Sequence, residues 1–356
     1  MPVSRPPNAP ARPTSARGMG VAATPIAFVQ AIVLAYHRYG KDPAGALQKA
    51  QIAPDLLHDS QARITALQME RISDAAMQEL DDEALGWFSR RLPWGSYGML
   101  ARASISAPTL QLALSRWCRH HGLIAPDITV ALETTGETAT IRITELRDLG
   151  ALREFCLVSV LRNVLGVACW LVDSRIALRC VHLPFAAPAH RSAYSVLFPA
   201  PTQFGCTQAA IIFDARYLDL PVRRDEAALQ HMLQNALPLT VLQYRRDRLL
   251  VQQVRQALLQ NPGDTHSAEG LAHLLNVSAR TLHRQLREEG ASLQTLKDSV
   301  RRERAMDLLL RTHKPIKQVA QACGFQNDKS FIRAFKTWSG LTPADFRRRN
   351  DVPTSL

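Results

Sequence analysis

Apolar positions along this chain first recur at helical spacing. Ile26, Val29, Ile32, Val33 and Tyr36 fall three and four apart, and Asp42-Pro43 opens a second helix with Pro in its first turn. Ile64, Leu67, Ile72, Ala76 and Leu80 predict a third helix. Leu110, Leu112, Leu114 and Trp117, after Pro108, predict another. Then the period drops to two. Ile128, Val130 and Leu132, followed by Ile141 and Ile143, alternate with polar or small residues around Thr135-Gly136-Glu137, which predicts a β-hairpin. Next comes an apolar run over 155–172, read as a buried helix because Arg162 and Asn163 stand near its centre. Short strands are expected at 176–183, 203–206 and 209–214. The pattern predicts an α+β front domain, mostly helical, over 21–221.

Beyond it the spacing is helical throughout. A helical connector is expected over 222–264. It includes a helix at 241–259 with an apolar stripe at Leu242, Leu249, Val251, Val254 and Leu258, stopped by Asn261-Pro262-Gly263-Asp264. In the remainder, 265–350, one pattern is written twice. Leu271-Ala272-His273-Leu274-Leu275-Asn276-Val277 overlays Val319-Ala320-Gln321-Ala322-Cys323-Gly324-Phe325. After a one-residue shift, Leu282, Arg284 and Leu286 fall on Phe331, Arg333 and Phe335, and Gly290 falls near Gly340. A repeat of this length predicts an all-α domain of two helix-turn-helix units joined by a long helix at 296–310.

Charge then changes the picture. Residues 243–350 hold 20 Lys and Arg against 10 Asp and Glu, whereas 21–242 hold 20 of each. The net charge of +12 is therefore concentrated on the duplicated region, the footprint of a nucleic-acid reader. Residues 1–20, rich in Pro, Arg, Ala and Ser without an apolar core, are expected to form a disordered tail.

The repeat also separates inward from outward positions. In the first unit Ser267 caps one helix, Leu271, Leu274 and Leu275 face inward, and the second helix runs over 278–288. If Leu282 and Leu286 point inward, Arg280, Arg284 and Arg287 form an outward basic ridge, with Ser278, Thr281 and His283 beside it. Arg can bond guanine O6 and N7 in the major groove, and His and Thr can meet bases or phosphates. In the second unit Gly324 suits a left-handed turn. Inward Phe331 and Phe335 leave Asp328, Lys329, Ile332, Arg333 and Lys336 outward, where Asp can accept from cytosine N4 and Ile can meet a thymine methyl. Arg301, Arg302 and Arg304 on the joining helix could touch the DNA backbone; the alternative is a solvated helix face.

These residues carry a resemblance. The block from Gly324-Phe325-Gln326-Asn327-Asp328 through Phe335-Lys336, with Gly340-Leu341-Thr342-Pro343-Ala344-Asp345-Phe346, resembles the signature of the AraC/XylS family of bacterial transcription regulators. The first unit, with Ser278-Ala279-Arg280-Thr281-Leu282-His283-Arg284, is similar to that family's first recognition helix. The mostly helical front end departs from the cupin barrel that many members carry. It is similar instead to the arabinose-binding-type domain of the ornithine-utilisation group, through Trp94-Gly95-Ser96-Tyr97-Gly98-Met99-Leu100, Ser106-Ala107-Pro108-Thr109-Leu110 and Phe204-Gly205-Cys206 leading to Ile211-Ile212-Phe213-Asp214. The resemblance implies a cytoplasmic, effector-responsive activator. It would bind double-stranded promoter DNA as a homodimer and contact RNA polymerase, with a small-molecule effector in the front domain. It names neither the effector nor its pocket.

Other chemistries are weaker readings. No Cys stands in a Pro-Cys-His-Arg setting, and no H-E-x-x-H, G-x-S-x-G or phosphate loop is present, so no enzyme and no cofactor are expected. The alternatives are a haem or metal sensor built on His120-His121 or on His182 and His190, and a DNA-repair alkyl-transferase fused to a reader. The six Cys lack C-x-x-C pairing and read as core thiols, and Trp94, Trp170 and Phe204 read as core.

Overall fold

The computed structural model describes residues 22–233, 249–260, 267–289 and 291–350. The expected tail, residues 241–248 of the connector helix, its stop at 261–264 and Gly290 lie outside the described residues. The chain divides into two units, Met1–Asp247 and Arg248–Leu356.

In the front unit, β1 (Ala22–Pro25) leads into α1 (Ile26–Arg38), followed by α2 (Ala44–Lys49). Ile64, expected in a helix, lies instead in β2 (Arg63–Thr65), antiparallel to β1. The physical reason is the cap of α3 (Ala66–Leu80). The Thr65 hydroxyl accepts from the Gln68 N–H while the Gln68 side chain accepts from the Thr65 N–H, so residues before Ala66 are extended. A helix that the spacing did not predict, α4 (Ser96–Ile105), precedes α5 (Leu110–Ile124), which begins at a Thr109 cap.

The hairpin forms as β3 (Ile128–Thr135) and β4 (Thr138–Glu145), with Gly136 at φ +56° in the turn. Next come α6 (Arg153–Val172), β5 (Leu178–Leu183), α7 (Tyr194–Leu197), β6 (Thr202–Phe204), β7 (Ala209–Asp214) and α8 (Glu226–Leu233). Five strands make one sheet in the order β3-β4-β7-β5-β6, antiparallel except for the parallel β5–β6 pair. Long enough and apolar enough to cross a membrane, α6 instead lies mostly inside the unit. Its Arg162 donates to the Leu197 carbonyl and sits 5.9 Å from the Phe198 ring centre, which places the charge that interrupts the apolar run. Trp170 is core, whereas Trp94 is 51% exposed and Phe204 is half-buried against Tyr194 and Phe185.

Among the described residues the back unit is all helical: α9 (Leu249–Gln260), α10 (Ala268–Leu274), α11 (Ala279–Glu288), α12 (Leu293–Arg311), α13 (Ile316–Ala322), α14 (Asp328–Ser339) and α15 (Pro343–Asn350). It contains two hydrophobic cores. Val254, Leu258, Leu271, Leu282 and Leu286 pack in the first, and Val319, Cys323, Phe331 and Phe335 in the second. The α12 helix belongs to both, giving Leu293 and Val300 to one and Ala305 and Leu309 to the other. Its 19 residues span ~28 Å at 1.5 Å per residue. One expected core position fails: Leu274 is 42% exposed, while Leu275 packs partly against the first core.

Candidate nucleic-acid interface

The two units of the repeat share a turn as well as a spacing. Asn276 and Gly324, the paired turn residues, both adopt positive φ, +53° and +76°. The next residue then closes an equivalent hydrogen bond in each unit. The Val277 N–H donates to Ala272 O at 2.9 Å, and the Phe325 N–H to Ala320 O at 3.0 Å. A left-handed residue is needed because the chain must reverse within one step to start the second helix at an angle to the first. Asn tolerates that conformation and Gly enters it without strain.

The one-residue shift falls between this turn and the next cap. Ser278 caps α11, its hydroxyl accepting from the Thr281 N–H at 3.1 Å, and Asn327 caps α14, accepting from the Ser330 N–H at 2.8 Å. From these caps onward the recognition helices run in register. Leu282 and Phe331 are fully buried, and so, four residues further on, are Phe335 and, to within 1%, Leu286.

Burial therefore fixes which side chains point out. Arg280, His283, Arg284 and Arg287 are exposed on α11, and Asp328, Lys329, Arg333 and Lys336 on α14. Three candidates have structural roles as well. Ser278 is exposed but holds the cap, Thr281 is half-buried with its hydroxyl 2.8 Å from that of Ser278, and Ile332, expected outward, is half-buried against the second core. Ile332 follows Phe331 directly, so the edge of the aromatic cluster covers part of it.

On the joining helix the three arginines differ. Arg302 is exposed, but Arg301 and Arg304 are half-buried, and the Arg301 guanidinium lies 5.1 Å from the Phe325 ring centre. Sequence reasoning also missed how the second unit is closed. Phe346 of α15 meets Phe335 at 5.3 Å, Trp338 meets Phe325 at 6.0 Å, and Arg347 donates to Lys314 O at 2.8 Å. Their signal was the apolar residue after Thr342-Pro343-Ala344-Asp345, a cap followed by an inward anchor. In the first unit the buried Glu289 carboxylate accepts from the Val251 N–H at 2.9 Å, which ties α9 to the end of α11. Burial pushes the Cys323 thiol up to about 11, so it stays protonated and behaves as core.

The histidines considered for a metal do not converge. Among the described residues no group of three or more His, Cys, Asp or Glu is placed to hold a metal ion. His190 is 2.6 Å from Glu154, His182 is 3.6 Å from the Cys180 sulfur, and His121 is buried among aromatic rings. Cys118, Cys156, Cys169 and Cys323 are buried; Cys180 and Cys206 are half-buried.

Comparison with known proteins covers both units. Residues 40–222 match the model of the arabinose-binding domain of AraC transcription regulators, and residues 271–349 match a helix-turn-helix domain. An ornithine utilization regulator of Pseudomonas aeruginosa is 26% identical over 91% of this chain and 96% of its own length. The regulator VirS of Mycobacterium tuberculosis is 24% identical over 88% of this chain and 93% of its own. Among solved structures, the transcriptional regulator CdpR of Pseudomonas aeruginosa aligns over 90% of this chain and 98% of its own, at 20% identity and a TM-score of 0.33. The DNA-binding domain of AdpA, solved with a target DNA, aligns over 30% of this chain and 97% of its own, at 28% identity and a TM-score of 0.26. The two relatives matched over nearly their whole length are regulators by name. With its arabinose-binding-type front domain and its helix-turn-helix reader, the chain belongs to the AraC family of DNA-binding transcription regulators.

Proposed function

We propose that this regulator reads promoter DNA with α11 and α14, and that a small-molecule effector held by the front domain alters that reading to activate transcription. The chain acts in the cytoplasm, as a homodimer, through contact with RNA polymerase. The observation that carries the reading is the common register of the two recognition helices. Arg280 and Lys329, Arg284 and Arg333, and Arg287 and Lys336 occupy matching exposed positions on a cap-defined frame. Two cores sharing one continuous helix keep the readers at a set separation, as two successive groove segments require. The paired cations supply phosphate and guanine contacts, and the unlike side chains, His283 against Ile332 and Thr281 against Ser330, let the two helices prefer different bases. The front domain's match to an arabinose-binding family supports ligand sensing, without making arabinose the ligand.

The test is a fluorescence titration of the full chain on DNA from upstream of its own and neighbouring genes, against a scrambled duplex, at moderate salt. Specific binding at least about 10³-fold tighter than random is expected. Equal affinity for both would overturn the reading. Sedimentation with and without DNA tests the dimer, and transcription with purified RNA polymerase tests the sign of regulation.

A further inference from the structure

Among the described residues, the front unit holds a set of buried polar groups without a hydrogen-bond partner. Trp87 Nε1, the Tyr97 hydroxyl and both ring nitrogens of His121 are buried without a hydrogen-bond partner. They come from three elements: the segment between α3 and α4, the first turn of α4, and α5. Yet they share one aromatic cluster. Tyr97 lies 6.0 Å from His121 and 6.1 Å from Trp117, His121 lies 6.3 Å from Phe88, and Phe88 lies 6.1 Å from Trp87. Native interiors leave few such atoms unmet, because each carries a desolvation cost without a compensating bond. Here several fall in one cluster rather than scattered, where a bound molecule or ordered water would supply the missing partners.

The surrounding groups narrow the chemistry. The nearby carboxylates already have partners. Asp82 accepts from the N–H groups of Ala84, Gly86 and Leu92 and from the Tyr39 hydroxyl. Asp127 accepts from the Ser89 backbone and hydroxyl, and Glu83 from the N–H groups of Gly95 and Tyr97. The Glu83 carboxylate, 2.8 Å from the Tyr97 backbone nitrogen, already places a negative charge beside the cluster, and a second anion there would be repelled by it. A cation cannot serve Trp87, whose indole N–H only donates. Neutral imidazole offers one donor and one acceptor, and the rings supply apolar walls.

We propose that Trp87, Tyr97 and His121 form the effector site of the front domain, and that it takes a small uncharged molecule carrying a carbonyl, amide or hydroxyl group on an apolar ring or chain. This rests on the effector-sensing reading above. The cluster lies near the surface of the unit. Tyr97 is only half-buried overall, and Trp94 and Met99 beside it are exposed. It also has a route for coupling. A Cβ on Gly98, next to Tyr97, would stand 2.9 Å from Leu233 at the end of α8, and Arg102 of α4 pairs with Glu226 of α8 at 2.6 Å. A ligand that pulls on Tyr97 therefore acts on a helix packed against α8, which lies within the expected connector, 222–264.

The experiment uses the full chain and four probes of one shape: benzamide, benzyl alcohol, benzoate and benzylamine. Tryptophan fluorescence and thermal unfolding are followed with each, on the natural chain, on Tyr97→Phe and on His121→Phe. Saturable quenching and a rise in Tm are expected with the amide and the alcohol and not with the anion or the cation. Each substitution should weaken that binding at least tenfold while the unliganded Tm holds or rises, since each removes unmet polar atoms. If neither neutral probe saturates, or if the charged probes bind as well, the proposal is overturned. It is also overturned if both substitutions lower the unliganded Tm, because the polar atoms would then serve structural water. DNA titrations on the same samples separate the two readings. Specific DNA binding without probe binding sinks the site alone. Probe binding that leaves DNA affinity and transcription unchanged leaves a ligand site but removes its role as effector site.

Discussion

The Arg301 guanidinium of α12 lies 5.1 Å from the ring centre of Phe325, the residue that follows the left-handed turn of the second reader. A cation over an aromatic face, partly removed from water, contributes about 0.5–2 kcal/mol, and the arginine stem adds packing. Arg302, one position along, is exposed. Arg301→Ala should therefore loosen the second helix-turn-helix unit by about 1 kcal/mol, while Arg302→Ala stays within about 0.5 kcal/mol. Amide hydrogen exchange over 316–339 of the full chain reads the difference. Equal protection in both variants would show that Arg301 does not hold the turn.

Arg284 and Arg333 occupy the same position on the two recognition helices, and each is exposed. Replacing either by Ala should cost about 1–3 kcal/mol of specific affinity if the side chain meets a guanine, with specificity relaxed at one base pair. A residue that meets only phosphate behaves differently: all sequences weaken alike, and the salt slope falls by about one. Titrations on a panel of single-base operator variants at two salt concentrations separate these outcomes for each arginine.

Asn276 and Gly324 both sit at positive φ. A β-branched residue pays a steric penalty there that Gly does not. Gly324→Val should destabilise the second unit by about 1–3 kcal/mol, whereas Asn276→Gly should leave the first unit stable to within about 1 kcal/mol. Hydrogen exchange over each unit checks both, and a tolerated Gly324→Val would refute the need for this turn geometry.

The reader was legible because its signals are local. A period near 3.6, a cap and a left-handed residue recur in two copies, so each copy checks the other, and Leu282, Leu286, Phe331 and Phe335 all point where the spacing places them. The failures lie at edges. Leu274 ends up exposed because its short helix leaves the rim of the apolar stripe uncovered, whereas Ile332 is partly covered because it borders the aromatic cluster of the second core. The front domain was less legible. Ile64 was drawn out of a helical pattern by the Thr65 cap and by pairing with residues some forty positions earlier. The Trp87, Tyr97 and His121 cluster leaves no sequence trace, because its members join through tertiary contacts.

Gly98 sits where α4 meets the end of α8, and a Cβ there would stand 2.9 Å from Leu233 Cδ2. That atom is the tip of a flexible side chain and can move. Gly98→Ala gains about 1 kcal/mol of helix propensity and loses some of it to the displaced leucine, so the net change in stability should be under about 1 kcal/mol. Gly98→Leu leaves no such accommodation and should cost about 1–3 kcal/mol. Thermal unfolding of the three proteins orders them, and a Leu variant as stable as the natural chain would mean that α8 is not packed on Gly98.

His121 titrates in the window where the front unit should lose stability. Burial alone pushes its pKa down from 6.5 to about 4, with no charged group contributing to the shift. The unfolded chain therefore binds a proton at higher pH than the folded chain. Full stability is present above about pH 6.5 and falls as the pH drops towards about 4. The linked loss is about 3 kcal/mol at most, at 1.36 kcal/mol per pKa unit. His121→Phe removes this proton from the balance while keeping an aromatic ring in the cluster. Its Tm should therefore fall less than that of the natural chain between pH 7 and pH 5. Nearby carboxylates contribute equally to both proteins and cancel in the comparison. Parallel Tm curves across that interval would mean that His121 is not held neutral by its surroundings.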